Sequence, residues 1–198
     1  MQSAVGGKVV LAYSGHGLLS REFDYYLSTH AVDFKQPESN GLPYEQLEGL
    51  LDGIPARKKL LLIDACHSGE VDKEELQRIE QVVDHARLVR GATPVVYKRE
   101  GHLGMKNSFE LMQNLFVNVG KRTGTTVISA AAGTQFALER GDLQNGVFTY
   151  SILHVLDSSR RLNISTLKRT VSHQVDILTR GAQRPTFRNE NLILDWEL

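Results

Sequence analysis

The chain has 198 residues, a length typical of a single domain, with 23 basic and 23 acidic side chains and no formal net charge. This balance argues against a dedicated nucleic-acid or membrane-surface binder, because such proteins usually carry a basic excess. Hydrophobic residues make up 41% of the sequence and charged residues 23%, as in a soluble globular domain. The chain has one cysteine, so it can form neither an internal disulfide nor a cysteine-based zinc site by itself. That cysteine is either a small buried hydrophobe or a reactive thiol.

The sequence carries no targeting or membrane signal that we recognise. Residues 1–7 lack the basic and apolar blocks of a signal peptide, and the apolar runs are far shorter than the ~20 residues of a membrane span. We therefore expect a reducing, cytoplasmic compartment. No metal site is predicted, because the scattered histidines lack ligand spacing. The sequon Asn163-Ile164-Ser165 is interpreted as a helix cap, provided by Asn163 or Ser165, rather than as a glycosylation site.

Buried strands alternate with amphipathic helices along the chain. Continuous apolar runs predict strands of a parallel sheet over residues 9–13, 60–63, 125–128 and 192–194. Apolar residues at helical spacing predict helices that begin at Pro43 and continue to about residue 54, and that span about 106–119, 146–157 and 165–179. This alternation indicates an α/β fold with a mostly parallel sheet.

Two segments are less regular. Residues 21–34 alternate polar and aromatic side chains, which favours a small hairpin. Residues 70–105 form a charged insert, with a solvated helix expected over 71–88 and a loop over 89–105. The acidic residues that open the insert lack the alternating ligand pattern of a calcium loop, so we interpret them as the start of that helix.

Chemically active side chains follow the first two predicted strands. The sequence Ser-Gly-His-Gly covers residues 14–17, and Asp-Ala-Cys-His-Ser-Gly covers 64–69. Sites in open α/β sheets form beyond the carboxyl ends of the strands, so neighbouring strands would bring His16 and Cys66 together. An imidazole there can take the thiol proton and later protonate a leaving amine. His67 is less suited as the base, because adjacent side chains of an extended segment point to opposite faces.

Gly17 has no Cβ, so its backbone N–H can approach a substrate carbonyl closely. Together with the N–H of Cys66 it would form an oxyanion hole.

These two motifs resemble the catalytic motifs of the caspase-like cysteine peptidases. The second motif is closest to the D-x-C-H-S-G pattern of metacaspases and their bacterial relatives, whereas animal caspases carry Q-A-C-x-G there. His16 and Cys66 are 50 residues apart, which fits the spacing of about 50 described for caspases. Residues 127–130, 146–150 and 183–187 resemble later segments of the family, so the resemblance covers most of the chain.

The resemblance implies a three-layer α/β/α sandwich and a role for each matching residue. His16 corresponds to the catalytic histidine and Cys66 to the nucleophile, while Gly17 and Cys66 would supply the oxyanion-hole N–H groups. Asp64 and Ser129 would bind substrate, and a carboxylate at position 64 suits a basic side chain. The alternative for Asp64 is a turn or a helix cap.

The sequence departs from the family in two places. Metacaspases carry a second acidic residue after the third strand, and residues 130–135 contain none here. The family's sheet also usually begins with a strand and helix before the histidine strand, and this chain has eight residues before Val9. We expect that first unit to be lacking, and residues 1–198 to form one caspase-like domain at the C-terminal part of a longer protein.

The predicted function is a cysteine endopeptidase with a Cys–His dyad that cleaves protein or peptide substrates after Arg or Lys, without a cofactor. Exposed basic residues in 86–100 would suit activation by self-cleavage in the insert. Two alternatives stay open: an inert caspase-like scaffold that binds partners, and a different thiol hydrolase on the same fold. Regulatory domains or a partner chain are expected outside these residues.

Overall fold

The computed structural model of the chain describes residues 6–22, 24–67, 88–89, 125–130, 137–159, 161–189 and 195–198. The helix predicted over 106–119, the strand predicted over 192–194 and nearly all of the charged insert lie outside these residues. Within the insert, the expected end of a helix at Leu88 and start of a loop at Val89 are wrong. These two residues form a short strand instead, because they pair with residues 138–139.

Two sheets are described. The larger one has six strands. Its parallel centre consists of β1 (Lys8–Leu19), β4 (Lys58–His67) and β6 (Thr125–Ser129). Shorter antiparallel strands flank it: β2 (Tyr25–Leu27), β3 (Leu42–Pro43) and β9 (Thr186–Asn189). The strand order across this sheet is β3-β2-β1-β4-β6-β9. The smaller sheet contains β5 (Leu88–Val89), β7 (Leu138–Arg140) and β8 (Asn145–Gly146) in sequence order.

Helices cover both faces of the large sheet. Among the described residues they are α1 (Tyr44–Asp52), α2 (Val147–Ser158) and α3 (Ile164–Thr179). Along β4, Leu61 and Ile63 pack with α1, whereas Leu60 and Leu62 pack with α2 and α3 on the other face. Because strand side chains alternate, a continuous apolar run serves both layers. The α/β fold and its three layers are confirmed.

The helix ends follow from local capping chemistry. Helix α1 begins directly after Pro43, and the side chain of Asn163 accepts a hydrogen bond from Thr166 N at 2.8 Å at the start of α3. At the other end of α1, Lys59 Nζ donates to the carbonyl oxygens of Leu51 at 2.7 Å and Ile54 at 3.1 Å. Burial lowers the pKa of Lys59. None of the helices in the described ranges is long and apolar enough to cross a bilayer.

The first strand is longer than the sequence predicts. We expected the strand to end at Tyr13, but β1 continues to Leu19. The reason is pairing on both sides, since β1 runs parallel to β4 as far as Gly17 and its last residues pair antiparallel with β2. The hairpin expected within 21–34 is wrong. The strand in that segment, β2, pairs instead with the end of β1 on one side and with β3 on the other, and both partners lie outside 21–34.

Candidate active site

The two central strands place His16 next to Cys66 in the backbone register. Their Cα atoms are partners in the parallel β1–β4 pair, and Gly17 is the partner of His67. Neighbouring strands lie about 4.8 Å apart. Both residues are near the carboxyl end of β4, where open α/β sheets form their sites.

The main chain of His16 is held by two hydroxyl groups. His16 N donates to Ser28 Oγ at 3.0 Å, and Ser28 N donates to His16 O at 2.8 Å. The Tyr13 hydroxyl donates to His16 O at 3.0 Å and lies 2.9 Å from Ser28 Oγ. The backbone N–H and carbonyl oxygen of His16 are therefore both hydrogen-bonded, by Tyr13 and Ser28.

The imidazole of His16 contacts an aromatic ring. The ring centroids of His16 and Phe34 are 5.5 Å apart, with an interplanar angle of 68°. Phe34 is 48% exposed and lies in the segment that connects β2 to β3. An edge-to-face contact of this kind restricts the orientation of the imidazole while leaving much of the Phe34 ring open to solvent.

The glycines of the first motif make room for tyrosine side chains. A Cβ at Gly15 would lie 2.8 Å from Tyr13 Cζ, and one at Gly17 would lie 2.6 Å from Tyr25 Cζ. Real side chains do not tolerate such distances, so both tyrosines depend on the missing Cβ atoms. The Tyr25 ring is held in turn by an edge-to-face contact with Tyr44, with centroids 5.7 Å apart.

Asp64 caps a helix that lies far away in the sequence. Its carboxylate is 2% exposed, and its Oδ2 atom accepts hydrogen bonds from Thr149 N at 3.3 Å and from the Thr149 hydroxyl. Gly146, the N-cap residue of α2, has no side chain to fill this role. A Cβ at Gly146 would lie 2.6 Å from Asp64 Oδ2, so the glycine leaves space for the carboxylate. The negative charge also lies at the favourable end of the helix dipole.

Ser129 is the last residue of β6 and is 7% exposed. Its partner in β4 is Ile63, the residue before Asp64, so Ser129 lies beside the same strand end. Just after it, Ala130 N donates to Ile63 O at 2.8 Å.

The buried side-chain amide of Gln183 connects the two segments on either side of residues 131–136. Gln183 Nε2 donates to Ala130 O at 2.7 Å, and Gln183 Oε1 accepts from Leu138 N at 2.9 Å. Gln183 is fully buried, and its backbone N donates to Thr179 Oγ1 at 3.1 Å. This side chain thus connects the end of β6 with the start of β7.

Sequence reasoning missed Ser28, Phe34 and Gln183. Ser28 and Phe34 lie in a stretch that the pattern describes only as a hairpin, and their contacts depend on how that hairpin pairs. Gln183 stands in a segment that resembles the family, which was the one available signal, but no role followed from it. Among the residues that the structure describes, no group of three or more His, Cys, Asp or Glu side chains could hold a metal ion.

The sequence model of the caspase domain, peptidase family C14, matches residues 2–195. The chain belongs to this family.

Comparisons with curated proteins and with solved structures add little to this family assignment. No curated protein matches the chain. Among 24 solved chains that do match is the crystal structure of protein GSU0716 from Geobacter sulfurreducens, at 17% identity and a TM-score of 0.48. The match covers 91% of this chain and 65% of that one, so this chain spans somewhat less than two thirds of its length.

Proposed function

We propose that the chain is a cysteine endopeptidase in which Cys66 is the nucleophile and His16 the general base and acid. The observation that carries this proposal is the β1–β4 register, in which the backbone positions of His16 and Cys66 are partners. The single cysteine of the chain and a half-buried imidazole thus belong to adjacent positions at the carboxyl end of a parallel strand.

The reaction has two steps. The imidazole of His16 takes the Cys66 thiol proton, and the sulfur attacks the carbonyl carbon of the scissile bond. The imidazolium then gives its proton to the amide nitrogen as the C–N bond breaks, which leaves a thioester and releases an amine. Water, deprotonated by His16, attacks the thioester, and the thiolate leaves and regains the proton. The products are a carboxylic acid and the free enzyme.

The developing oxyanion requires hydrogen-bond donors. We assign this role to the backbone N–H groups of Gly17 and Cys66, which belong to the two central strands. One such donor is worth about 10²–10³ in kcat in other acyl-transfer enzymes.

We further propose that the enzyme cleaves after Arg or Lys, with Asp64 and Ser129 binding the basic side chain. Asp64 lies two residues before Cys66 on β4, and Ser129 lies beside that strand end. A buried carboxylate favours a guanidinium or ammonium group because both charge and hydrogen bonds match.

Fluorogenic peptides ending in Arg, Lys or Asp test this assignment. We expect the wild-type chain to cleave the Arg and Lys peptides, and the Cys66→Ala and His16→Ala variants to lose activity. Asp64→Asn keeps the shape of the side chain and removes its charge, so it should weaken cleavage of the basic peptides specifically. Labelling of Cys66 without cleavage of any peptide would favour a different thiol hydrolase. Absence of both would favour an inert scaffold.

We also propose activation by self-cleavage within residues 86–100. The support comes from the sequence, which carries several basic residues there: Arg87, Arg90, Lys98 and Arg99. Mass spectrometry of purified wild-type and Cys66→Ala protein tests this step. The wild type should show cleavage after one of these residues and the variant should stay intact, whereas an intact segment in both would contradict it.

We propose that this chemistry needs no cofactor, because a thiol and an imidazole suffice for acyl transfer. Activity should therefore be equal in EDTA and in calcium. A calcium-dependent rate would show that this part of the proposal is wrong.

A further inference from the structure

We propose that Tyr13 and Ser28 are positioning residues for His16, and that their hydroxyl groups hold its main chain where the pairing with Cys66 requires it. The inference rests on the proposed function and deepens it. Neither residue touches the substrate in this scheme.

The hydroxyl groups close a ring of hydrogen bonds around the backbone of His16. His16 N–H donates to Ser28 Oγ at 3.0 Å, Ser28 Oγ and Tyr13 Oη are hydrogen-bonded at 2.9 Å, and the Tyr13 hydroxyl lies 3.0 Å from both His16 O and Ser28 O. The ring is complete when the Ser28 hydroxyl donates to Tyr13 Oη and the Tyr13 proton is directed at the two carbonyl oxygens. Bonds arranged head to tail strengthen one another, so the loss of one hydroxyl weakens the whole ring.

Gly15, the first glycine of the Ser-Gly-His-Gly motif, makes room for this ring of hydrogen bonds. A Cβ at Gly15 would lie 2.8 Å from Tyr13 Cζ and 3.1 Å from Ser28 Oγ. The Tyr13 ring therefore reaches the carbonyl of His16 only by passing over a residue that has no side chain.

The ring of hydrogen bonds also connects to the imidazole. Ser28 begins the segment that returns Phe34 to His16, where the two ring centroids are 5.5 Å apart. The segment from Ser28 to Phe34 thus contacts both the backbone and the side chain of His16. A shift of His16 would misplace the imidazole relative to Cys66 but leave substrate contacts elsewhere unchanged. We therefore expect an effect on kcat rather than on KM.

Four variants test the inference: Tyr13→Phe, Ser28→Ala, the conservative Ser28→Thr, and Tyr26→Phe. Tyr26 is the matched control, because its phenol is on the adjacent strand but takes no part in the ring of hydrogen bonds. The first readout is the pH dependence of alkylation by iodoacetamide, which modifies the single thiol of the chain. A thiol paired with an imidazole titrates below the pKa of about 8.5 of a free thiol.

We expect Tyr13→Phe and Ser28→Ala to raise the pKa of the Cys66 thiol towards that of the free group. Ser28→Thr should recover most of the wild-type behaviour, and Tyr26→Phe should match the wild type. The second readout is cleavage of the Arg-ended peptide, where kcat should fall about tenfold or more in Tyr13→Phe and Ser28→Ala while KM changes little. Circular dichroism and thermal melting check that each variant is folded. If Ser28→Ala does not fold, Tyr13→Phe, which loses one oxygen atom, decides the question.

The outcomes separate the two proposals. If the wild-type thiol titrates as in His16→Ala, the Cys–His pairing is wrong, and this inference is wrong with it. If the wild-type pKa is lowered by His16 but both variants titrate like the wild type and keep its kcat, only the positioning role is overturned. If alkylation responds as expected while no peptide is cleaved, the positioning role stands and the peptidase assignment fails.

Discussion

Removal of the Asp64 carboxylate should destabilise the protein through the start of α2. One oxygen atom of Asp64, which is 2% exposed, accepts from both the backbone N and the hydroxyl of Thr149. Hydrogen bonds to charged groups contribute about 1.5–3 kcal/mol, and the 3.3 Å bond belongs at the low end of that range. A lost helix cap costs about 1 kcal/mol, a contribution that overlaps with these bonds. We expect Asp64→Ala to lower the free energy of unfolding by about 2–4 kcal/mol.

Urea unfolding measures this change, and a double-mutant cycle isolates the contact. Thr149→Val removes the hydroxyl but keeps the backbone N–H, and should cost about 1–2 kcal/mol. The matched control is Thr166→Val, at the equivalent position of α3. The cap residue Asn163 accepts from the backbone N–H of Thr166, which the substitution keeps, so Thr166→Val should lower the free energy of unfolding by less than Thr149→Val does. Asp64→Asn should cost less than Asp64→Ala, because the amide oxygen can still accept from Thr149.

The cycle gives a clear refutation. If the contact stabilises the protein as described, Asp64→Ala and Thr149→Val together should cost about 1–2 kcal/mol less than the sum of the two single variants. Additivity to within about 0.5 kcal/mol would show that the contact contributes no measurable stability. In a chain of this size each 1 kcal/mol corresponds to a shift in Tm of about 2–4 °C, so thermal melting provides a second measurement.

Three further predictions concern other parts of the fold. Gly15→Ala should lower Tm and slow alkylation of the thiol, because the new Cβ displaces Tyr13. Gly49→Ala, in the exposed middle of α1 with open space around it, should instead stabilise by about 0.5–1 kcal/mol, and equal effects of the two changes would contradict this. Asn163→Ala should destabilise α3 by about 1 kcal/mol in urea unfolding, while Asn163→Asp should be close to neutral. Burial lowers the pKa of Lys59, so the unfolded chain binds more protons just below the ordinary lysine range, and stability should rise with pH there. Relative to Lys59→Met, the wild type should gain stability as the pH rises towards the ordinary lysine pKa of about 10.4, and a flat difference would refute the argument.

Local patterns were sufficient for the described helices and for the central strands of the large sheet, but they did not predict the short strands β3, β5, β7, β8 and β9. The helices α2 and α3 begin and end within one residue of the predicted limits, because apolar spacing and the Asn163 cap are local signals. The three central strands were predicted from their apolar runs. Their lengths were not, since a strand continues as long as its backbone groups find partners, and those partners lie on other strands. For this reason residues 14–17, which follow the predicted strand, belong to β1.

The candidate site was likewise predicted in part from the sequence. The motifs singled out His16, Cys66 and Asp64, because glycine-flanked polar residues after buried strands are visible in one dimension. Asp64 was given two interpretations, substrate binding and helix capping, and the sequence did not choose between them. The structure shows the capping contact with Thr149, 85 residues away. Its part in substrate binding stays a prediction.

The sequence by itself determined the three central strands and the helices α1, α2 and α3, because apolar spacing and caps depend on neighbours along the chain. It also singled out the candidate site residues His16, Cys66 and Asp64. Tertiary structure alone decided the β1–β4 register that makes His16 and Cys66 partners, the return of Ser28 and Phe34 to His16, and the reach of Asp64 to α2. These contacts join segments that the chain separates widely. They follow from the pairing of whole strands, in which a slip of one residue would turn every side chain to the opposite face.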